Sequence, residues 1–530
     1  MFSYKQPSAM MKKFSALLFS AVMSSAAFSQ SNVAGYVYAD ANRNNKKDKS
    51  EKGIAGVAVS NGKEVTATNA EGKYNLPVGN DNIIFVIKPS GYDLPFTDRQ
   101  LPVFYYIHKP LGSPVNVKYK GVSPTGVLPK SVDFALLPAT ETKDFTSLIF
   151  GDPQPYTAEE VEYFAKGIVA EVAGIKGVTF GMSLGDLVGD SLDLHNPYIE
   201  ATKAVGIPWY NVMGNHDMNY EAKSDSLSDE TFEAHFGPAN YSFNYGDVHF
   251  IVLDDILYPD PRDGKSYWGG FREDQLQFIE NDLKFVPKDK LVVLSFHIPL
   301  KDENGSFNIE QRQRLFNLMK DYEHTLTLSA HTHFQRNDFF TAKEGWLRST
   351  PHHEYNAGTT SGDWYSGAFN EKGIPVSTMR DGTPKGYAFI HFKGNTYSID
   401  YKVAGKPADY QVTLYAPKNF IGKRPGSATV YANFFMGHKN SEVEIRFDNG
   451  KWKKMKFAES FDPNYIASMV QWDLSDTLMG NRRPSIPSES THLWEAAFPK
   501  GLEPGTHSLE VRAKDMYGKT FTASQKFNVK

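Results

Sequence analysis

Apolar runs separated by polar and glycine-containing turns divide the chain into three stretches of different pattern. From residue 32 to about 137 the runs are short, as at 35–38 and 82–87, and clusters of Gly, Asn and Asp separate them. Short strands at this spacing are typical of an antiparallel β-sandwich. We therefore predict a first, Ig-like or B-repeat-like β-sandwich over residues 32–137.

The middle stretch alternates longer apolar strands with helical patterns. The strands are predicted at residues 147–150, 178–184, 209–213, 248–253, 291–295 and 325–329, and helices at 157–173 and 273–283. Runs at 387–392 and 397–403 predict a closing hairpin. Because such alternation is typical of α/β proteins, we predict an α/β domain over residues 144–404.

After Pro407 the pattern returns to strands, predicted at residues 428–433, 441–447, 506–513 and 520–529. Their spacing favours an Ig- or fibronectin-type sandwich. We predict a second β-sandwich over residues 408–530, which carries no catalytic constellation.

The N-terminus indicates export. Lys12 and Lys13 precede an apolar run that ends in small residues, which is the pattern of a signal peptide over residues 1–29. An ordinary amphipathic helix is the alternative. The chain has no cysteine, which excludes a lipidated cysteine, disulfides and thiolate zinc sites. We expect a soluble bacterial protein, periplasmic or secreted and not a lipoprotein.

Net charge and hydropathy limit the classes of partner that we expect. The formal net charge is −4, and it becomes about −7 without residues 1–29, which carry three lysines and no acid. A protein that binds a nucleic-acid polymer is expected to be more basic. After the N-terminus no run of about 18 apolar residues follows, so no transmembrane segment is predicted.

Five short polar motifs each follow a predicted strand of the middle stretch. They contain Asp152 and Gln154, Asp186, Asn215 with His216 and Asp217, His297, and His331 with His333. The carboxyl ends of strands are where open α/β sheets place their sites. Oxygen ligands and imidazoles from five separate segments suit a pair of divalent ions. Taken singly, an Asp after a strand is commonly a helix cap, but five coincidences in one domain indicate a shared site.

With these motifs, residues 145–400 resemble a calcineurin-like metallophosphoesterase. Residues 105–110 and 361–367 fit the bacterial subgroup with N-terminal and C-terminal accessory domains. The resemblance implies an α/β (α+β) sandwich of two sheets flanked by helices, with β-sandwich domains on both sides.

The resemblance also implies roles. Asp152, Asp186 and His333 would hold the first ion, with Gln154 beside them; Asp186 would bridge to a second ion held by Asn215, His297 and His331. His216 would contact the phosphate and protonate the leaving oxygen, oriented by Asp217. Two such ions lower the pKa of a bound water, and the resulting hydroxide attacks phosphorus in line with the leaving group.

Gln154 departs from the family pattern, which has histidine there. An amide oxygen is a poorer ligand for transition metals than imidazole. We therefore expect a weaker first site. The ions would be Mn, Fe, Zn or Mg, with Mn favoured.

Two further sets of residues are candidates. His353 and Trp364, in a Gly- and Ser-rich region, could read the group attached to phosphate; aromatic packing of a long loop is the alternative. A loop containing Asp40, Asn42, Asn44, Asp48 and Glu51 has the ligand spacing of a structural calcium site; a polar hairpin loop is the alternative.

The sequence thus predicts an exported two-metal phosphoester hydrolase. Its partner would be a small phosphorylated substrate or phosphorylated glycan, as a monoester or diester of a sugar, glycan, lipid head group or nucleotide. The alternative is a non-catalytic or weakly active protein that binds an envelope or glycan partner on the same scaffold.

Overall fold

A computed structural model describes residues 31–114, 117–301, 303–421, 428–480 and 482–530. The predicted signal peptide lies outside these residues. Within the described ranges, no helix has the length and apolar character needed to cross a membrane.

The first region is built from two four-stranded sheets. In spatial order their strands are Lys73–Val78, Ser31–Ala39, Phe134–Pro138 and Tyr92–Asp93, and Val65–Ala67, Ala58–Ser60, Asn82–Val86 and Tyr105–His108. Alternate residues point inward because side chains alternate along a strand; in Lys73–Val78 the buried ones are Tyr74, Leu76 and Val78.

The middle region holds two larger sheets. The first, in spatial order, has strands Trp209–Val212, Phe180–Leu184, Asp144–Phe150, Gly386–Lys393 and Thr396–Val403; the second has Tyr241–Tyr245, Val248–Val252, Leu291–Ser295, His324–Ser329, His352–Asn356 and Arg336–Phe340. The first three strands of the first sheet are mutually parallel. In the second sheet, Val248–Val252 starts a run of four parallel strands. Parallel neighbours end at one edge, so residues that follow these strands meet there.

Helices of the middle region are short and amphipathic. They are Ala158–Phe164, continued by a π-helical turn Ala165–Val169 and by Ala170–Val172, then His195–Lys203, Glu230–Phe236, Glu273–Asp282 and Ile309–Met319. Single 3-10 turns lie at Leu192–Leu194, Asn215–Asp217, Asp225–Leu227, Leu283–Phe285 and Ala342–Glu344. The Thr157 side chain accepts a hydrogen bond from the Glu160 N–H, which satisfies a donor at the helix start. A two-stranded ribbon, Ile256–Leu257 with Trp268–Gly269, lies beside the second sheet.

The last region is again β-rich. One sheet has strands Val412–Tyr415, Thr429–Phe434, Leu493–Ala497 and Lys456–Phe457, and the other Asn419–Phe420, Thr520–Val529, Gly505–Lys514, Glu442–Phe447 and Lys453–Lys454. A ribbon pairs Ser460–Phe461 with Glu489–Ser490. The helix Pro463–Asp473, which the sequence pattern did not predict, lies between these two short strands.

Both outer regions bond to the middle one. Lys109 Nζ lies 2.7 Å from Glu230 Oε2, and Lys519 Nζ lies 2.7 Å from Asp400 Oδ2. The predicted fold class, a two-sheet α/β core with β-rich regions on both sides, is confirmed. The domain boundaries at 32–137, 144–404 and 408–530 stay predictions.

Candidate metal centre

The polar motifs share an unusual backbone conformation. Asp152, Gln154, Asp186, His331 and His333 all have positive φ, between 29° and 68°. Residues with a Cβ rarely occupy the left-handed region, and such strain concentrates at functional sites. These turns aim the side chains that follow the strands toward one point.

The first group of ligand atoms converges on His333. Its Nδ1 donates to the Gly362 carbonyl at 2.7 Å, so the other ring nitrogen, Nε2, faces the centre. This Nε2 lies 2.8 Å from Gln154 Oε1 and 3.2 Å from Asp152 Oδ2. Gln154 Nε2 donates to Asp186 Oδ2 at 3.1 Å, which ties the first group to the second.

The second group converges on His297, which is fully buried. Its Nδ1 lies 2.8 Å from the Leu184 carbonyl oxygen, to which it can donate. Its Nε2 then faces Asp186 Oδ2 at 3.2 Å and His331 Nδ1 at 3.2 Å. The ligand atoms of Asp186, His297 and His331 all lie within 4.8 Å of one another.

These groups fit cations. In both groups imidazole nitrogens converge with carboxylate or amide oxygens, an arrangement that a positive charge between them stabilises. Among the described residues, the buried atoms Asp152 Oδ2 and Asn215 Oδ1 have no hydrogen-bond partner. Buried polar atoms are normally paired, so these orphan oxygens are what metal ligands would leave. The donor set suits divalent transition metals or Mg.

The electrostatics agree with this fit. Burial lowers the pKa of His297, but the Asp186 and Asp152 carboxylates outweigh it and raise that pKa to about 10. Burial, together with the charge of His297, lowers the pKa of His331 to about 3. The centre therefore favours a positive charge at the position of His297, which a bound cation would also supply.

The partner of His216 differs from the prediction. Its Nδ1 lies 2.7 Å from Asp190 Oδ1, and its N–H donates to Asp186 Oδ1 at 2.9 Å. Burial lowers the pKa of His216, whereas Asp186 and Asp190 raise it to about 9. The structure thus places Asp190, and not Asp217, against the ring of His216; the catalytic role predicted for Asp217 stays a prediction.

Asp217 instead holds the loops together. Its fully buried carboxylate accepts hydrogen bonds from the N–H groups of Leu187, Val188 and Gly214, at 2.9 to 3.2 Å. His195 Nε2 lies 3.1 Å from the same carboxylate. This carboxylate therefore fixes the Asp186 loop against the Asn215 turn.

Aromatic side chains line the centre. Trp364, a predicted substrate-binding residue, stacks on His333 with ring centroids 4.1 Å apart. Tyr156 lies edge-on to His216 and Tyr267 edge-on to His331, at 5.9 and 6.1 Å. Tyr220 lies close to the Asn215 side chain. The sequence did not identify these three tyrosines as candidates. The position of Tyr156, two residues after Gln154, could have indicated that it lies near the centre.

His353 does not belong to this centre. It lies within the strand His352–Asn356, and its ring nitrogens bond to Tyr397 Oη at 2.9 Å and Asn337 Oδ1 at 3.0 Å. Its ring stacks on Phe339. Its side chain therefore packs and bonds within the second sheet, and substrate binding by His353 stays a prediction.

The predicted calcium loop brings its residues together. Asp40 accepts from the N–H groups of Asn44 and Asn45, and the Asp48 carboxylate accepts from the side chains of Asn42 and Asn44. Glu51 accepts from the Asp48 N–H at 3.0 Å. These internal bonds also suit a polar hairpin loop, so calcium binding stays a prediction.

Comparison with family models gives three matches in consecutive order. Residues 41–122 match the N terminal of calcineurin-like phosphoesterase, residues 145–335 match calcineurin-like phosphoesterase, and residues 354–521 match the C terminal of calcineurin-like phosphoesterase. The second match contains every predicted metal ligand.

Matches to individual proteins are weaker than the matches to the family models. A probable glycerophosphodiester phosphodiesterase GpdQ of Arcobacter nitrofigilis is 29% identical over 141 residues, which are 25% of this chain and 48% of that protein. The chain thus spans about half the length of this curated relative.

Two solved structures are weakly similar. The purple acid phosphatase PPD1 from yellow lupin (Lupinus luteus) seeds has a TM-score of 0.35 at 13% identity, over 66% of this chain and 67% of that one. The spore cortex lytic enzyme SleM of Clostridium perfringens has a TM-score of 0.17 at 10% identity, over 73% and 99%. Similarities this low support no conclusion. The three consecutive family matches, in contrast, cover most of the chain and all of its ligand motifs, and the protein belongs to the calcineurin-like phosphoesterases.

Proposed function

We propose that this protein hydrolyses phosphodiesters with two divalent ions held by the ligands of both groups. One observation carries the proposal: the buried ligand atoms of Asp152, Gln154 and His333 converge, and so do those of Asp186, His297 and His331. Asn215 supplies a further orphan oxygen. Mn is the favoured metal, since Gln154 offers an amide oxygen where imidazole would favour Zn or Fe.

The residues divide the work around the phosphate. Bound ions would supply Lewis acidity and lower the pKa of a water. Asp186 orients the His216 main chain, and Asp190 holds Nδ1 of its ring, which leaves Nε2 to donate a proton to the leaving oxygen. The raised pKa of His216 keeps that proton on the ring at neutral pH.

The surroundings favour a diester over a monoester. Three tyrosines and Trp364 border the centre, and these neutral faces suit organic groups on both sides of a singly charged phosphate. The curated relative that is partly similar bears the name of a glycerophosphodiester phosphodiesterase, which supports this order of preference. The attached groups would be a sugar, glycan, lipid head group or nucleotide.

We also propose a periplasmic or secreted location. The predicted signal peptide and the absence of cysteine support it, because proteins outside the cytoplasm often lack free thiols or pair them. Fractionation of the native host, with and without residues 1–29, would test the location.

The decisive experiment is parallel hydrolysis of bis(4-nitrophenyl) phosphate and 4-nitrophenyl phosphate. The protein without residues 1–29 would be assayed with Mn, with Mg and with a chelator. We expect faster turnover of the diester, and loss of turnover with chelator and in Asp186→Ala. His216→Ala should slow a diester with an alkoxide leaving group, such as glycerophosphocholine, far more than these nitrophenyl esters. Chelator-resistant turnover, or none with either metal, would contradict the proposal and favour a binding protein.

A further inference from the structure

The first β-sandwich region reaches the catalytic centre through the segment 117–121. The Tyr119 hydroxyl donates to the main-chain carbonyl of Asp190 at 3.1 Å. The Lys118 N–H donates to Glu221 Oε1, and the Thr231 hydroxyl donates to the Tyr119 carbonyl at 3.4 Å. One short segment therefore bonds both to Asp190 and to Glu221, the residue after Tyr220.

Asp190 needs such support. Its φ is 65°, a conformation that costs free energy for a residue with a Cβ. Its side chain is 49% exposed, so burial does little to fix it. Its N–H donates to the His216 carbonyl at 3.2 Å, and its carboxylate holds the His216 ring.

A cavity lies next to the residues that follow Asp190 in the chain. A cavity of about 390 Å³ is bordered by Tyr119, Lys120, Leu192, Asp193 and His235. Leu192 and Asp193 lie two and three residues after Asp190, so the cavity begins next to this turn. The Tyr119 hydrogen bond restrains the turn at the Asp190 carbonyl.

We propose that Tyr119 is a positioning residue that the first sandwich supplies to the Asp190–His216 pair. This inference rests on the proposed function, in which His216 protonates the leaving oxygen. Tyr119 acts through the Asp190 carbonyl and does not touch the reacting atoms. Its loss widens the range of positions of the Asp190 carboxylate, and with it the direction of the His216 ring.

Leaving groups of different basicity test this role. A nitrophenolate leaves without a proton, whereas an alkoxide needs one, so a misplaced acid slows only the second. We expect Tyr119→Phe to lower kcat for glycerophosphocholine about 3- to 10-fold, the range of one lost hydrogen bond. The same variant should change kcat for bis(4-nitrophenyl) phosphate by less than about 2-fold, with KM for both esters unchanged.

Tyr36→Phe is the matched control, since Tyr36 lies in the same region and its hydroxyl plays no part in this contact; it should change neither rate. Hydrogen exchange of the peptide 186–194 gives a second readout that needs no turnover, and Tyr119→Phe should speed it. Equal losses on both esters, or unchanged exchange, would overturn the role of Tyr119. A wild-type protein that cleaves neither ester would instead overturn the proposed function.

Discussion

Asp190 and Asp217, the two aspartates associated with His216, make different contacts. Asp190 bonds to the imidazole and is half exposed, whereas Asp217 is buried among three main-chain N–H donors. Loss of the first should affect the proton that His216 delivers. Loss of the second should affect the loops that carry the ligands.

We therefore expect Asp190→Asn to lower kcat for an alkyl phosphodiester by about 10- to 100-fold, because it removes part of the roughly 100- to 10,000-fold that general acid catalysis typically contributes. Its melting temperature should stay within about 2 °C of wild type, since surface changes cost little. Steady-state kinetics and calorimetry measure both quantities.

Asp217→Asn serves as the contrast. It removes a charged acceptor from buried N–H groups, so the free energy of unfolding should fall by about 1–3 kcal/mol. A kinetic defect in Asp217→Asn larger than that in Asp190→Asn, at equal stability, would return the orienting role to Asp217.

We expect Gln154 to set the metal preference of the first group. Gln154→His should bind Zn roughly 10-fold more tightly, because imidazole is the better ligand for this ion and one tenfold step is about 1.4 kcal/mol. Metal content after dialysis against graded chelator measures the affinity. Gln154→Asn, which keeps the amide and shortens the side chain, is the control and should not gain affinity. Equal Zn retention in wild type and Gln154→His would show that the amide does not limit binding.

Short motifs made most of the centre predictable, because a ligand type and its place after a strand can both be read from sequence. The partner of His216 was not predictable in this way. Asp217 is adjacent in sequence, but Asp190 meets His216 only through the folded loops. The packing of His353 was not predictable for a related reason. This residue lies inside a strand, and sheet pairing buries its side chain.

At the scale of elements, close packing of turns against each other positions the ligands. Gly214 precedes the Asn215 turn at φ −114°, which any residue can adopt. A Cβ there would lie 2.0 Å from the Asp186 N and 2.3 Å from its Oδ1. Glycine is thus needed for space and not for backbone freedom.

Gly214→Ala should consequently push Asp186 away and cost about 1–3 kcal/mol of stability, as overpacking does. It should also weaken metal binding, which isothermal titration with Mn can measure. Gly79→Ala is the control, because the nearest atom to its Cβ would be a side-chain oxygen at 3.3 Å. Unchanged Mn affinity in Gly214→Ala would show that the turn can accommodate a Cβ without moving Asp186.

The strands of the middle region were predictable because they are continuous apolar runs; the prediction 291–295 coincides with Leu291–Ser295. The helix Pro463–Asp473 was missed although its start is marked. Asp462 accepts from the N–H groups of Asn464 and Tyr465, and Pro463 occupies the first turn, both of which are helix-start signals. Its weak apolar pattern, in a β-rich surrounding, obscured them.

At the scale of the whole molecule, a buried ion cluster joins the first sandwich to the middle domain. Lys109 Nζ lies 2.7, 3.2 and 3.1 Å from carboxylate oxygens of Glu230, Glu233 and Asp81. Lys109 and Glu230 are almost completely buried. Burial, and next the charge of Asp229, raise the pKa of Glu233 well above its usual range.

Lys109→Met should destabilise the protein by about 3–5 kcal/mol at neutral pH, since it leaves buried carboxylates without a cation. Some carboxyl groups have a higher pKa in the folded than in the unfolded protein, and they stabilise the fold fully when the pH is below the unfolded pKa. This stabilisation is lost as the pH rises through the folded pKa. The deficit of Lys109→Met should therefore shrink toward pH 5. Denaturant unfolding at several pH values measures it.

The control is Lys63→Met, which removes an exposed lysine from the same region and should cost less than about 0.5 kcal/mol. A pH-independent deficit in Lys109→Met would mean that lost side-chain packing, and not charge, holds the two regions together.

The place of the strand Gly386–Lys393 has a consequence for how the chain is made. It pairs with Asp144–Phe150, a strand about 240 residues earlier in synthesis, so the first large sheet has an open side until nearly the whole middle region has left the ribosome. Contacts between such distant parts of a chain form slowly. Until then the apolar strands of the first large sheet are exposed, and chaperones would have to shield them.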